Sequence, residues 1–108
     1  MVAEATIKLK VNGNLIHTVS EGSGPVDALN NALLKALINE FPILKTLKLT
    51  DFRVRVIDER SGTKAKVRVL ITMQDEESNW STIGVSENII AASWEALVDG
   101  IDYKLQKE

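Results

Sequence analysis

The sequence predicts an α+β fold built from two related strand-turn-helix units in the order ββα-βββα, with a mostly antiparallel sheet and helices on one face. Three observations carry this expectation. Five segments alternate apolar and polar residues with a period of two, and two longer segments place apolar residues at helical spacing. The chain also matches itself at an offset of 64 residues, where Thr18 pairs with Thr82, Ala28 with Ala92, Ala32 with Ala96 and Leu33 with Leu97. Four identities in that stretch weigh little alone, but both copies read as strand, small-residue turn and helix, which makes duplication the natural source.

The first strand, Ala5 to Asn12, sets Ile7, Leu9 and Val11 against Thr6, Lys8 and Lys10. Asn12-Gly13 supplies the positive φ angles of a tight hairpin turn, and Leu15 to Ser20 returns. Gly22-Ser23-Gly24-Pro25 then opens a helix, because Pro25 suits a first helical position where its missing N–H has no partner. Val26, Leu29, Leu33, Ala36, Leu37 and Phe41 form the helical stripe, and Pro42 stops it. A third strand is expected from Leu44 to Asp58. Its apolar phase changes from odd (Leu47, Leu49) to even (Phe52, Val54, Val56), so a bulge near Asp51 is expected. Arg60-Ser61-Gly62 turns the chain into a strand with Ala65, Val67, Val69, Ile71 and Met73 on one face. After the polar loop Asp75 to Asn79, Trp80 to Val85 is the last strand. Ser86 is the expected cap of a long helix with the stripe Ile90, Trp94, Leu97, Ile101 and Leu105.

Composition narrows the chemistry. At 108 residues the chain reads as one domain, large enough to bury roughly two thirds of its unfolded surface. It contains no cysteine and one histidine, His17, so thiolate metal sites and cysteine nucleophiles are excluded, and any Ser-His-Asp arrangement depends on His17. His17 lies in a strand with no second ligand nearby in sequence and reads as a surface or half-buried side chain. The amino terminus lacks the pattern of a secretory signal, and no apolar run approaches the roughly 20 residues of a membrane span. The expectation is a soluble, cytoplasmic protein with no membrane partner and no cofactor.

Two segments stand out as sites. At Gly22-Ser23-Gly24-Pro25-Val26-Asp27, glycines permit close backbone approach and the free N–H groups of a helix start attract a carboxylate or phosphate. The plainer reading is a tight turn plus a helix start, with Asp27 complementing the helix dipole. No Gly-Lys-Ser/Thr follows, so this is not a phosphate loop. Ser86-Glu87-Asn88 is the equivalent turn before the second helix, and an ordinary cap explains it. The segment Lys45 to Arg68 holds eight basic and three acidic residues. Arg53, Arg55, Lys64, Lys66 and Arg68 would share one face of adjacent strands and could track a nucleic-acid backbone. A solvated or partner-facing sheet is the simpler explanation, because Phe52 falls on the opposite phase and stacking aromatics are nearly lacking. Trp94 and Tyr103 on the last helix suit core packing or an interface.

Three runs, Gly22-Ser23-Gly24-Pro25-Val26-Asp27-Ala28, Leu49-Thr50-Asp51-Phe52-Arg53-Val54-Arg55-Val56 and Gly84-Val85-Ser86-Glu87-Asn88-Ile89-Ile90-Ala91-Ala92-Ser93-Trp94, resemble the carboxy-terminal regulatory domain of the 2-isopropylmalate synthase and citramalate synthase family. The resemblance covers essentially the whole chain, and the last run favours the citramalate synthase branch. It implies an allosteric domain that forms a homodimer and binds isoleucine or leucine as effector near the interface. It also implies a separate catalytic domain, the partner that condenses acetyl-CoA with a 2-oxo acid. On this chain the implied effector residues are Gly22, Ser23, Gly24, Val26 and Asp27 on the turn and Leu49, Phe52 and Val56 on the strand. Glu87 joins them where relatives commonly carry proline. The chain alone is then not an enzyme, and a nucleic-acid partner is not expected.

Overall fold

A hairpin begins the chain. In the computed structural model, which describes residues 2–57 and 65–108, β1 (Ala3–Val11) pairs antiparallel with β2 (Asn14–Gly22). Asn12 and Gly13 form the turn with φ of 50° and 84°, the left-handed pair that a two-residue hairpin requires. Helix α1 (Pro25–Leu37) follows, then a 3-10 helix at Pro42–Thr46. Strands β3 (Lys48–Ile57), β4 (Lys66–Gln74) and β5 (Asn79–Ser86) form an antiparallel sheet in that order, and α2 (Ile89–Lys107) closes the sequence. The α+β class and the ββα-βββα order are therefore as expected. The expected turn at Arg60-Ser61-Gly62, Asp58 at the end of the third strand and Lys64 of the basic cluster lie outside the described residues.

The chain divides into two compact units, Met1–Thr46 and Leu47–Glu108. In the first, α1 packs on β1 and β2 and buries Val26, Ala28, Leu29, Ala32, Leu33 and Ala36. In the second, α2 packs on β4 and β5, above Val69, Ile71 and Met73. The two hairpins share one register: Ala3 opposite Gly22 in the first corresponds to Val67 opposite Ser86 in the second, each 64 residues on. The repeated threonines explain themselves in this light. Thr18 Oγ1 donates to the Ala32 carbonyl at 2.8 Å, and Thr82 Oγ1 donates to the Ala96 carbonyl at 2.6 Å. In both units a strand hydroxyl ties the middle of the helix to the sheet, and the matching alanines keep that approach close.

Glycine tightens the same contact. A Cβ built on Gly84 would stand 1.9 Å from the Ala92 carbonyl oxygen, and one on Gly22 would stand 2.4 Å from the Ala28 nitrogen. Neither clash is with a movable side chain, so each position demands glycine for packing.

Four boundaries differ from the sequence reading. Helix α1 ends at Leu37, and Phe41 lies in the turn after it, its N–H bonded to the Leu37 carbonyl at 2.8 Å. A residue before proline is pushed out of helical geometry, so Pro42 acts upstream of its own position. The third strand starts at Lys48 because Pro42 initiates a 3-10 helix across the residues expected to begin it; Leu44 on that helix is buried. Asn88, not Ser86, caps α2: its side chain accepts from Ile90 N at 2.7 Å and Ala91 N at 3.2 Å, which leaves Glu87 outside the first turn. Finally, the sheet-facing stripe of α2 is Ala92, Ser93, Ala96, Leu97, Gly100, Ile101 and Lys104. Small residues win that face because only they allow the approach at Gly84, and Ile90, Trp94 and Leu105 are displaced to the flank.

The expected bulge is present. Register between β3 and β4 shifts between Leu49 and Asp51, so Thr50 is the extra residue. Leu49 opposite Met73 and Phe52 opposite Ile71 consequently lie on the same, helix-bearing face.

A buried ionic clamp fixes the loop before β5 to the last turn of α2. Asp75 accepts from Lys104 and Lys107, each at 2.8 Å, and from the N–H groups of Glu77 and Ser78 at 2.9 Å. Lys104, 3% exposed, also reaches Glu108 at 2.7 Å. The bonds from Lys104 and Lys107 hold the Asp75 carboxyl far below the usual carboxylate range, outweighing its burial. Burial works against the Lys104 ammonium, but Asp75 and Glu108 more than offset it and raise its pKa.

Two predictions follow from this packing. Gly84→Ala should lower stability by about 3 kcal/mol as an over-packing change, while Thr18→Val and Thr82→Val should each cost about 1 kcal/mol, all read from urea unfolding. For Asp75 the folded pKa lies below the unfolded value of about 3.9, so its contribution is complete above that pH and fades as pH falls through the folded value. The stability gap between wild type and Asp75→Asn should thus be constant from about pH 5 to 8 and narrow below about pH 4.

Candidate functional site

The turn Gly22–Asp27 belongs to the first unit. Gly24 is the N-cap of α1, with extended φ of −153° and ψ of 177°, and no side chain caps the helix start there. Pro25 contributes no N–H, so the donors of Val26 and Asp27 remain available in the first turn. Asp27, third in the helix, folds back to accept the Ser23 N–H at 2.9 Å and faces the Ser23 hydroxyl at 3.3 Å. That contact ties the turn to the helix one residue ahead of the Gly24 cap, whose own N–H it does not engage. Val26 is buried, whereas Ser23 is exposed. The two glycines differ in role: Gly22 is required by packing, but nothing lies within 4 Å of a Cβ placed on Gly24. The second helix offers no such opening, since Asn88 occupies its first donors.

Leu49, Phe52, Val56 and Glu87 belong to the second unit. Because α2 packs on β4 and β5, the inner face of β3 stays uncovered: Phe52 is 46% exposed, Val54 42% and Val56 65%, while Leu49 is half-buried. Their cross-strand partners Ile71 and Val69 are fully buried. The flank of α2 extends this apolar surface. Tyr103 stacks against Trp80 of β5 with centroids 5.0 Å apart, so the opposite flank, carrying Ile90, Trp94 and Val98, turns toward β3. Ile90 and Val98 are 45% and 37% exposed, and Trp94 is half-buried. The sequence stripe through Ile90 and Trp94 signalled this flank, although periodicity alone assigned it to the core. Glu87 is exposed, just ahead of the Asn88 cap.

The basic residues also come together. Arg55 is directly opposite Arg68, Arg53 opposite Leu70 and Ile57 opposite Lys66, which sets the three arginines on the face of the sheet away from α2. They line a shallow open depression with Leu70, and Arg53 pairs with Asp51 at 3.1 Å. Phe52 points to the other face, so no aromatic from β3 interleaves with these charges. His17 is exposed on β2 opposite Lys8. Among the described residues no group of three or more His, Asp or Glu is placed to hold a metal, and no helix is long and apolar enough to cross a membrane.

Asp27→Ala should remove the bond to the Ser23 N–H and cost about 1 kcal/mol in urea unfolding without changing the circular dichroism spectrum of the native chain.

Comparison with known proteins gives this arrangement a family. Residues 1–105 match the model of the LeuA allosteric (dimerisation) domain. The chain is 54% identical over 106 residues to the (R)-citramalate synthase of Geobacter sulfurreducens and 55% identical over 106 residues to that of Aquifex aeolicus, in both cases covering 98% of this chain. It is 32% identical over 107 residues to the 2-isopropylmalate synthase of Methanocaldococcus jannaschii, covering 99% of this chain. Each alignment takes in 19% or 20% of the relative, so the chain spans about one fifth of the length of these proteins.

Proposed function

The chain belongs to the LeuA allosteric (dimerisation) domain family, and on that premise we propose that it is the feedback-sensing domain of a citramalate synthase-type enzyme, forming a homodimer and binding isoleucine or leucine. The observation that carries this reading is the uncovered strip Phe52, Val54 and Val56, continued by Ile90, Trp94 and Val98 on α2. Aliphatic and aromatic side chains aligned on one surface fit a second copy and an aliphatic ligand held beside it.

A branched-chain amino acid is a zwitterion with an apolar tail, and each part has a complementary group in the chain. The first-turn N–H groups after Gly22, Ser23 and Gly24 suit a carboxylate, through both hydrogen bonding and the helix dipole. Asp27, beside them, suits an ammonium. Leu49, Phe52 and Val56 suit an aliphatic side chain, and Val26 and Glu87 are the further residues that the family resemblance implies. Burying a branched side chain contributes roughly 1.5 to 3 kcal/mol, well short of the about 8 kcal/mol of micromolar affinity, so charge-assisted hydrogen bonds must supply much of the remainder. A ligand that binds one dimer geometry better than another shifts the population between them, and this is how occupancy would reach an attached catalytic domain.

Calorimetric titration with isoleucine, leucine and valine tests the reading. Saturable binding of isoleucine or leucine by the dimeric chain is expected, and no heat from any of the three would overturn it. Gly24→Ser should separate site from scaffold: serine fits the extended cap geometry and should stabilise α1 by a few tenths of a kcal/mol, yet its hydroxyl would occupy the open donors and weaken effector binding by about tenfold. Val56→Asp should shift the sedimentation equilibrium toward monomer.

A further inference from the structure

The face of the β3–β4–β5 sheet away from α2 carries Lys48, Arg53, Arg55, Lys66 and Arg68, with Asp51 as the only acid among its strand residues. Arg53 takes up that acid at 3.1 Å. Arg55 and Arg68 stand directly opposite each other on neighbouring strands, and among the described residues neither has an acid within ion-pair distance. Like charges at directly paired positions, with Cβ atoms about 5 Å apart, weaken a sheet. The strand pairing does not require this, since the adjacent pairs on the same face, Arg53 with Leu70 and Ile57 with Lys66, set a cation against an apolar side chain. Arg68 is also half-buried, in the seam between Arg55 of β3 and Val85 of β5.

The depression lined by Arg53, Arg55, Arg68 and Leu70 has a volume of about 340 Å³, at the small end of ligand-binding clefts. Arg53 and Arg55 are about 6.8 Å apart along β3. Guanidinium groups rooted that closely can hold more than one oxyanion, each through a fork of N–H donors. The cations stop at Arg68. Beyond it on β5 are Ile83 and Val85, 41% and 40% exposed, so β5 adds no charge to track an extended phosphate chain, and the strands present no aromatic on this face for bases to stack on. We propose that Arg53, Arg55 and Arg68 bind a compact polyanion, a small molecule bearing two or more carboxylate or phosphate groups, whose charge offsets the repulsion of the opposed arginines. The site is on the opposite face of the sheet from Phe52 and Val56, and its ligand is not a branched-chain amino acid. It can therefore fail while the regulatory reading holds, and the reverse.

Thermal unfolding of the 108-residue chain in pyrophosphate, citrate or acetate, each at about 5 mM and brought to one ionic strength with sodium chloride, tests the proposal. Pyrophosphate or citrate should raise the midpoint by about 4 °C over chloride alone, and acetate should not. The larger of the two shifts identifies the phosphate or the carboxylate class. Arg55→Gln and Arg68→Gln should each lose most of the shift. Arg55→Gln, at an exposed position, should unfold in chloride no earlier than the wild type, because it relieves the opposed pair. A shift that survives in both variants would be the general exclusion effect of such salts and would overturn the site, as would no shift from either polyanion. Lower stability of Arg55→Gln in chloride would make Arg55 a structural group and overturn it equally. In calorimetric titration oligothymidylate should bind more weakly than the better of the two small anions, and the reverse order would overturn the compact ligand.

Discussion

The structure depends on how closely each helix can approach its sheet. Gly84 lies so near the Ala92 carbonyl, and Gly22 so near the first turn of α1, that no β-carbon fits at either position. Alanines 28, 32, 92 and 96 are fully buried at the same contacts, and a threonine hydroxyl spans each one to a helix carbonyl. A contact of this kind draws its strength from dispersion and shape rather than from large side chains. Because small residues hold the close approach at Gly84, Ile90, Trp94 and Val98 are displaced to one flank of α2, beside a strand that the helix does not cover, while Leu97 and Ile101 stay in the core.

That displacement distinguishes the two units. They share hairpin register, threonine tie and helix placement, yet the second adds β3 and with it an apolar strip, and the first keeps an uncapped helix start. Asn88 satisfies the donors at the head of α2 that remain available at the head of α1. The repeated scaffold thus keeps one packing rule in both units, while the open helix donors belong to one unit and the uncovered apolar strip to the other.

Much of this was legible in the sequence, and the exceptions have physical causes. Alternation and turn chemistry located the hairpin at Asn12-Gly13, the phase change near Asp51 located the bulge, and the offset matches marked residues that prove to be the helix–strand ties. Periodicity could not tell which apolar face of α2 meets the sheet, because that choice is made by a steric contact with Gly84 on the neighbouring strand. Nor could it foresee Lys104 in the interior. A lysine at the end of an amphipathic helix ordinarily reads as solvent-facing, and its burial depends on Asp75, 29 residues earlier. For the candidate site, spacing identified the glycine turn but could not separate the packing role of Gly22 from the open cap at Gly24. The exposure of Phe52, Val54 and Val56 was likewise beyond it, since burial is a property of what α2 covers.

Thr50, the single unpaired residue of the bulge, has a wider consequence. The two faces of β3 are chemically opposite, one carrying Phe52, Val54 and Val56 and the other Arg53 and Arg55. Leu49 and Phe52 are three positions apart, so plain alternation would place them on opposite faces, and the unpaired Thr50 is what keeps both on the helix side. Divergence in such a segment is therefore discontinuous. Exchange of one side chain adjusts the strip by degrees, whereas closing the bulge at unchanged length would slip the register by one and invert it, turning an oily surface cationic without altering the strand's composition.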